Sequence, residues 1–173
     1  NWEDSFWRHE GHESDAGAGT SVLWNTTEKT AFTVACAQAV SLEGATWTDK
    51  EAAKATGLGA SFASPQAQLV LHKHVGLVSS LHAPPSECPA KAQNEALDGR
   101  ELGYLEERAR HEAAWADIWS LGDIRIEGDV EAQQAIRFNI FHLNQTYRGD
   151  DARLNVGPKG FTGEKYGGAS YWD

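Results

Sequence analysis

The sharpest constraint on the fold is a change of hydrophobic period at Ala83-Pro84-Pro85-Ser86. Ahead of it, apolar residues tend to alternate with polar ones, the two-residue period of a half-buried strand. Behind it they recur three and four apart, the period of one helix face. Two adjacent prolines withhold two ladder donors, so no central strand continues through them. The chain must hold a β region followed by a helical one, which predicts an α+β fold.

Taken in order, residues 1–20 are polar and rich in His and Gly. Trp2, Phe6 and Trp7 suit anchoring against a sheet, and Gly11 to Gly19 reads as a connecting loop. His9 and His12 stand beside Glu10 and Glu13, but no third ligand follows at a suitable spacing, so the sequence argues against a metal site there. Val22, Leu23 and Trp24 read as a strand ending in a polar turn at Asn25-Thr26-Thr27. Phe32, Val34, Cys36, Val40 and Leu42 then alternate, which predicts a half-buried strand with these residues facing inward. Leu69, Leu71, Val75 and Leu77 alternate likewise, with Lys73 interrupting. His72 and His74 fall on the opposite face, which predicts the solvated side of a sandwich in preference to a metal pair. Such strands separated by turn signals point to an antiparallel sheet stack.

Beyond the prolines, Ser86 ahead of Glu87 predicts a helix N-cap. An Ala-, Glu- and Lys-rich helix follows and closes at Gly99. Tyr104, Arg108, His111, Trp115 and Ile118 share one face of the next helix, which ends at Gly122. His111 on that stripe reads as packed or hydrogen-bonded, not catalytic. Ile124 to Glu127 is short and extended, and Asp129 is the expected N-cap of a further helix. Ile136, Ile140, Leu143 and Tyr147 are its expected buried face, and Gly149 lies just past its end.

The last stretch, Leu154 to Asp173, holds five of the 17 glycines and closes on Tyr171-Trp172-Asp173. Glycine forfeits packing, so this is loop and not core. An aromatic face beside a carboxylate suits a sugar ring, and a surface loop whose Trp plugs a neighbouring core fits the composition equally well. Phosphate binding of the Walker type is excluded. Gly163-Glu164-Lys165-Tyr166 lacks the Ser/Thr, Gly157 stands at the wrong spacing, and a helix precedes the loop instead of a strand. Glu164 and Asp173 are a conceivable glycosidase pair, but their sequence spacing says nothing of their separation in space.

Totals exclude several classes. A formal charge of −10 argues against nucleic acid or an anionic membrane as partner. No apolar run approaches the roughly 20 residues of a membrane-spanning helix, and no signal peptide opens the chain. Cys36 and Cys88 form neither a disulfide framework nor a zinc pattern, which predicts a reducing, cytoplasmic home. The chain contains no Met, so we expect it to be an internal piece of a longer protein.

Several motifs carry a resemblance. They are VSSLHAPP (78–85), ALDGRELGYLEERARHEAAW (96–115), EGDVEAQQAIRFNIF (127–141), GPKGFTGEKYGG (157–168) and YWD (171–173). Together they resemble the inverting disaccharide phosphorylases of glycoside hydrolase family 65, and within it the members acting on maltose. The likeness is specific over residues 67–173 and looser over 1–66. It implies part of an N-terminal antiparallel β-sandwich at 1–85 and a helical linker at 86–122. Residues 123–173 would then be the first helix and an active-site loop of an (α/α)6 barrel.

The resemblance also implies phosphorolysis of an α-glucosidic disaccharide such as maltose. Inorganic phosphate would be the co-substrate, with no metal or organic cofactor, in a homodimer. Kojibiose, nigerose and trehalose are the alternative substrates, and a non-catalytic carbohydrate-binding module is the alternative class. Trp172 and Asp173 match the family's pair that holds the non-reducing glucose, with Tyr171, Glu164 and Lys165 as further candidates around it. The general acid and the phosphate-binding residues are expected beyond residue 173. No catalytic residue is expected within this chain, and Glu164 is expected to support the loop or the sugar with Lys165 neutralising it.

Overall fold

A computed structural model describes residues 6–42, 45–52, 55–61 and 69–154 of the chain. The chain divides into two compact units, Asn1–Arg108 and Ala109–Asp173. The fold is α+β, with six strands followed by three α-helices.

In the first unit, strands β1 (Trp7–Asp15), β2 (Thr20–Thr27), β3 (Thr33–Ser41) and β6 (His72–Ser79) form one antiparallel sheet in the order β1-β2-β3-β6. Strands β4 (Thr46–Ala52) and β5 (Ala55–Ser61) pair as an antiparallel hairpin beside β1 and β2. No element was expected over this hairpin. A 3₁₀ turn at Pro85–Glu87 leads into helix α1 (Cys88–Leu102), which packs across β6, β3 and β2.

The core lies between α1 and the sheet. It is built from small residues: Ala35, Ala37 and Ala39 of β3 with Val22 and Val78 meet Cys88, Ala92 and Ala96 of α1. Gly76 of β6 explains the choice. A methyl group there would strike the carbonyl oxygen of Ala92 and come within 2.9 Å of the Ala96 nitrogen. Helix backbone therefore lies directly on strand backbone, and only Gly and Ala leave room for it.

This close approach inverts the expected faces. On β3 the helix side carries Thr33, Ala35, Ala37 and Ala39; of the residues expected inside, Val40 is buried, Val34 is half-buried and Cys36 is exposed. On β6, Val75 and Leu77 are 56% and 65% exposed, and His72 and His74 lie half-buried on the helix side with Gly76 and Val78. The apolar stripes of both strands thus face away from α1. Exposed too are Leu69 and Leu71.

Other boundaries move for local reasons. Strand β2 runs through the expected turn to Thr27, because Thr26 pairs with Thr33 and their hydroxyls bond at 2.9 Å in the core. The reversal falls at Glu28–Thr30, closed by the Ala31 amide donating to the Thr27 carbonyl at 3.0 Å. Residues 7–15, expected partly as loop, form an edge strand whose charges suit a sheet margin. Gly11 gives that strand the space occupied by the Trp24 ring, which a side chain would hit. Ser86 is not the cap of α1. Glu87 holds that position without a side-chain bond. Gly99 lies inside α1, and Gly103, with φ of 82°, ends it. Arg100 then ties α1 to the sheet by donating to the Ala18 carbonyl at 2.6 Å.

Helix α2 (Tyr104–Gly122) ends where its glycine predicts, and helix α3 (Val130–Thr146) follows. Asp129 caps α3 as expected, its Oδ1 accepting from the Ala132 amide at 2.9 Å.

Candidate functional site

The residues expected at the sugar, Glu164, Lys165, Tyr171, Trp172 and Asp173, all lie outside the described residues. What the structure does describe is how the second unit builds the helix that leads to them. Asp123 sits in the connection from α2 to α3 and accepts two bonds from Arg137 on α3, at 2.9 and 2.6 Å. This fork-to-fork pairing holds the Asp123 carboxyl below its ordinary range, first through the Arg137 hydrogen bond and then through its charge. Arg137 is raised by the same bond.

Gln133, one turn before Arg137, grips the same connection with both ends of its amide. Its Oε1 accepts from the Ile126 amide at 2.6 Å, and its Nε2 donates to the Ile124 carbonyl at 2.8 Å. One side chain thereby satisfies a main-chain donor and a main-chain acceptor of the connection. These bonds, with the Asp129 cap, fix the start of α3 from three directions.

Aromatic rings fix the rest of the helix. Trp115 of α2 stacks on Phe141 of α3 with ring centroids 4.9 Å apart, and Trp119 lies 6.0 Å from Trp115. The half-buried face of α3 carries Gln133, Ile136, Ile140, Phe141 and Asn144. Leu143, expected inside, is 66% exposed. Phe141 takes the inward position because it is the residue that meets Trp115. His111 is exposed and sits edge-on to Trp115, with centroids 6.4 Å apart. Past the helix, Gly149 takes φ of 75°. Arg153 folds back onto Asp151 at 2.6 Å, and that pairing raises its guanidinium.

In the first unit, a polar hollow of about 280 Å³ is lined by Lys73, His74, Glu95, Tyr104 and Glu107. Among the described residues, no group of three or more His, Cys, Asp or Glu is arranged to hold a metal ion. No described helix is long and apolar enough to cross a membrane.

Residues 1–118 match the glycosyl hydrolase family 65 N-terminal domain, and residues 137–173 match the glycosyl hydrolase family 65 central catalytic domain. The chain belongs to glycosyl hydrolase family 65. It is 41% identical to maltose phosphorylase of Bacillus subtilis (strain 168) over 177 aligned residues, 100% of this chain and 23% of that protein. It is 43% identical over 81 residues to kojibiose phosphorylase of Caldanaerobacter subterraneus subsp. tengcongensis, covering 47% of this chain and 10% of that one. Against α,α-trehalose phosphorylase of Thermoanaerobacter brockii it is 34% identical over 103 residues, 60% of this chain and 13% of the other. The chain thus spans about a quarter or less of these relatives' lengths.

Proposed function

We propose that the chain is part of an inverting maltose phosphorylase, which splits maltose with inorganic phosphate into β-glucose 1-phosphate and glucose. The observation that carries this reading is the 41% identity to a maltose phosphorylase running the whole length of the chain. The kojibiose and trehalose enzymes align over only 81 and 103 residues. The motifs GPKGFTGEKYGG and YWD support it further.

On this reading the non-reducing glucose rests against Trp172, with Tyr171 beside it. Asp173 accepts hydroxyl hydrogen bonds, each contributing about 1.5–3 kcal/mol because the acceptor is charged. Glu164 supports the loop or the sugar, and Lys165 neutralises it. The bonds from Arg137 and Gln133 to the connection hold the start of α3, the helix that precedes the sugar-binding loop in sequence. A general acid beyond Asp173 protonates the leaving oxygen while phosphate, in place of water, attacks the opposite face of the ring. Residues 1–173 alone therefore turn over no maltose. The reaction uses no metal or organic cofactor, and the whole enzyme acts as a cytoplasmic homodimer.

The test is a panel of maltose, kojibiose, nigerose and trehalose, each offered with phosphate to the whole protein. Maltose is expected to give the fastest release of glucose 1-phosphate. Asp173→Ala is expected to lower kcat/KM for maltose at least about tenfold, the factor that 1.4 kcal/mol represents. A faster rate on another disaccharide reassigns the substrate. Binding of sugar without turnover of any of the four favours a carbohydrate-binding module.

A further inference from the structure

The polar hollow of about 280 Å³ in the first unit has no part in the phosphorylase reading. Three elements supply its walls. Glu95 and Gly99 stand four apart on α1 and share one helix face, and Tyr104 and Glu107 stand three apart on the first turn of α2. Lys73 and His74 come from β6. Gly103 alone separates the two helices, and its φ of 82° turns the chain so that Glu107 reaches back to Gly99.

Gly99 is the floor. Glycine weakens a helix interior, and nothing in the packing demands one here. Its φ is not positive. An added Cβ would meet only ordinary contacts, His74 Nδ1 at 3.5 Å and Glu107 Oε1 at 3.7 Å. What the missing side chain provides is room. Helix backbone lies bare between an imidazole nitrogen and a carboxylate oxygen, the close approach that glycine allows a ligand. Among the described residues, no hydrogen bond or ion pair engages the side chains of Lys73, His74, Glu95 or Glu107.

The lining selects the ligand. Lys73 opposes a cation, and Glu95 and Glu107 oppose an anion. A neutral molecule rich in hydroxyls can donate to the carboxylates and accept from the ammonium together. The Tyr104 ring, 53% exposed and 6.3 Å from that of His72, adds an apolar face. The volume falls just below the range of about 300–1,000 Å³ for drug-sized ligands, which suits one ring and not an oligomer. We propose that this hollow binds a single neutral sugar ring, with Glu95, Glu107 and Lys73 on its hydroxyls and Tyr104 against its face. The proposal rests on the first unit alone and holds whichever disaccharide the whole protein splits.

Hydrogen–deuterium exchange of the whole protein, read by mass spectrometry with glucose as the probe, tests it. Glucose should slow exchange at least about twofold in peptides covering 72–75 and 95–107. Glu107→Gln and Tyr104→Ala should each raise the glucose concentration needed for that slowing at least about tenfold. Gly99→Leu, which fills the floor, should abolish it. Circular dichroism reports that each variant is folded. Peptides covering 157–173 report the sugar-binding loop separately, and their response to glucose should be the same in all three variants. The site would be overturned by absence of slowing at 72–75 and 95–107, or by slowing that survives Gly99→Leu. Equal slowing by ammonium or phosphate ions, or loss of the 157–173 response together with that of the hollow, would overturn it as well.

Discussion

Cys36 and Cys88 are two thiols with opposite chemistry, and their neighbours decide which is which. Cys88 opens α1 in the core, fully buried, with its Sγ donating weakly toward the Pro84 carbonyl at 3.4 Å. Burial pushes its thiol above the ordinary range, because a thiolate there would lose its water. Cys36 is exposed on the sheet face that α1 leaves open. A thiol-alkylating reagent should modify Cys36 within minutes in the native chain and reach Cys88 only after denaturation. Equal labelling of both by mass spectrometry would mean that α1 does not seal the core as described. Neither outcome was legible in the sequence, where Cys36 sits on the apolar stripe that pattern assigns to the interior. Pattern reading assumes that the larger apolar residues face inward. On β3 the nearness of a helix reverses that rule.

Between elements, the contact of α1 with β6 is set by Gly76. A methyl group at this position meets helix backbone, which unlike a side chain cannot rotate away. Gly76→Ala is therefore expected to lower stability by about 1–3 kcal/mol, the usual range for overpacking, measured by urea denaturation. A change below a few tenths would show that α1 slides easily on the sheet. The connection into α3 responds to acid instead. The folded-state value of Asp123 lies below its ordinary 3.8, with the Arg137 bond as chief cause. Its contribution is fully present above that ordinary value and is lost as pH falls through the lower, folded-state value. Asp123→Asn should flatten the stability profile below about pH 4 and leave its shape near neutrality unchanged. An identical acid limb in wild type and variant would contradict the clamp. The Asp129 cap was readable because capping is local chemistry, decided within four residues. The Gln133 and Arg137 clamps were not, since each spans a bend whose geometry no spacing rule encodes. The expectation at Trp172 and Asp173 rests on a motif alone, because the grouping of a site depends on segments distant in sequence.

At the scale of the whole molecule, an antiparallel sheet backed by a tightly seated helix precedes a helix anchored at its start by three side chains. That order, together with matches to both the N-terminal and the central catalytic domain, frames the proposal that these residues belong to a maltose phosphorylase. Val75 and Leu77 of β6 and Phe138 and Leu143 of α3 are large apolar side chains open to solvent, as at surfaces that meet a partner. The most direct test follows maltose and inorganic phosphate with the whole protein by proton and phosphorus NMR. The account predicts that phosphate is consumed mole for mole with maltose and that the first sugar phosphate formed is the β anomer. Release of glucose without phosphate uptake, or formation of the α anomer, would contradict it.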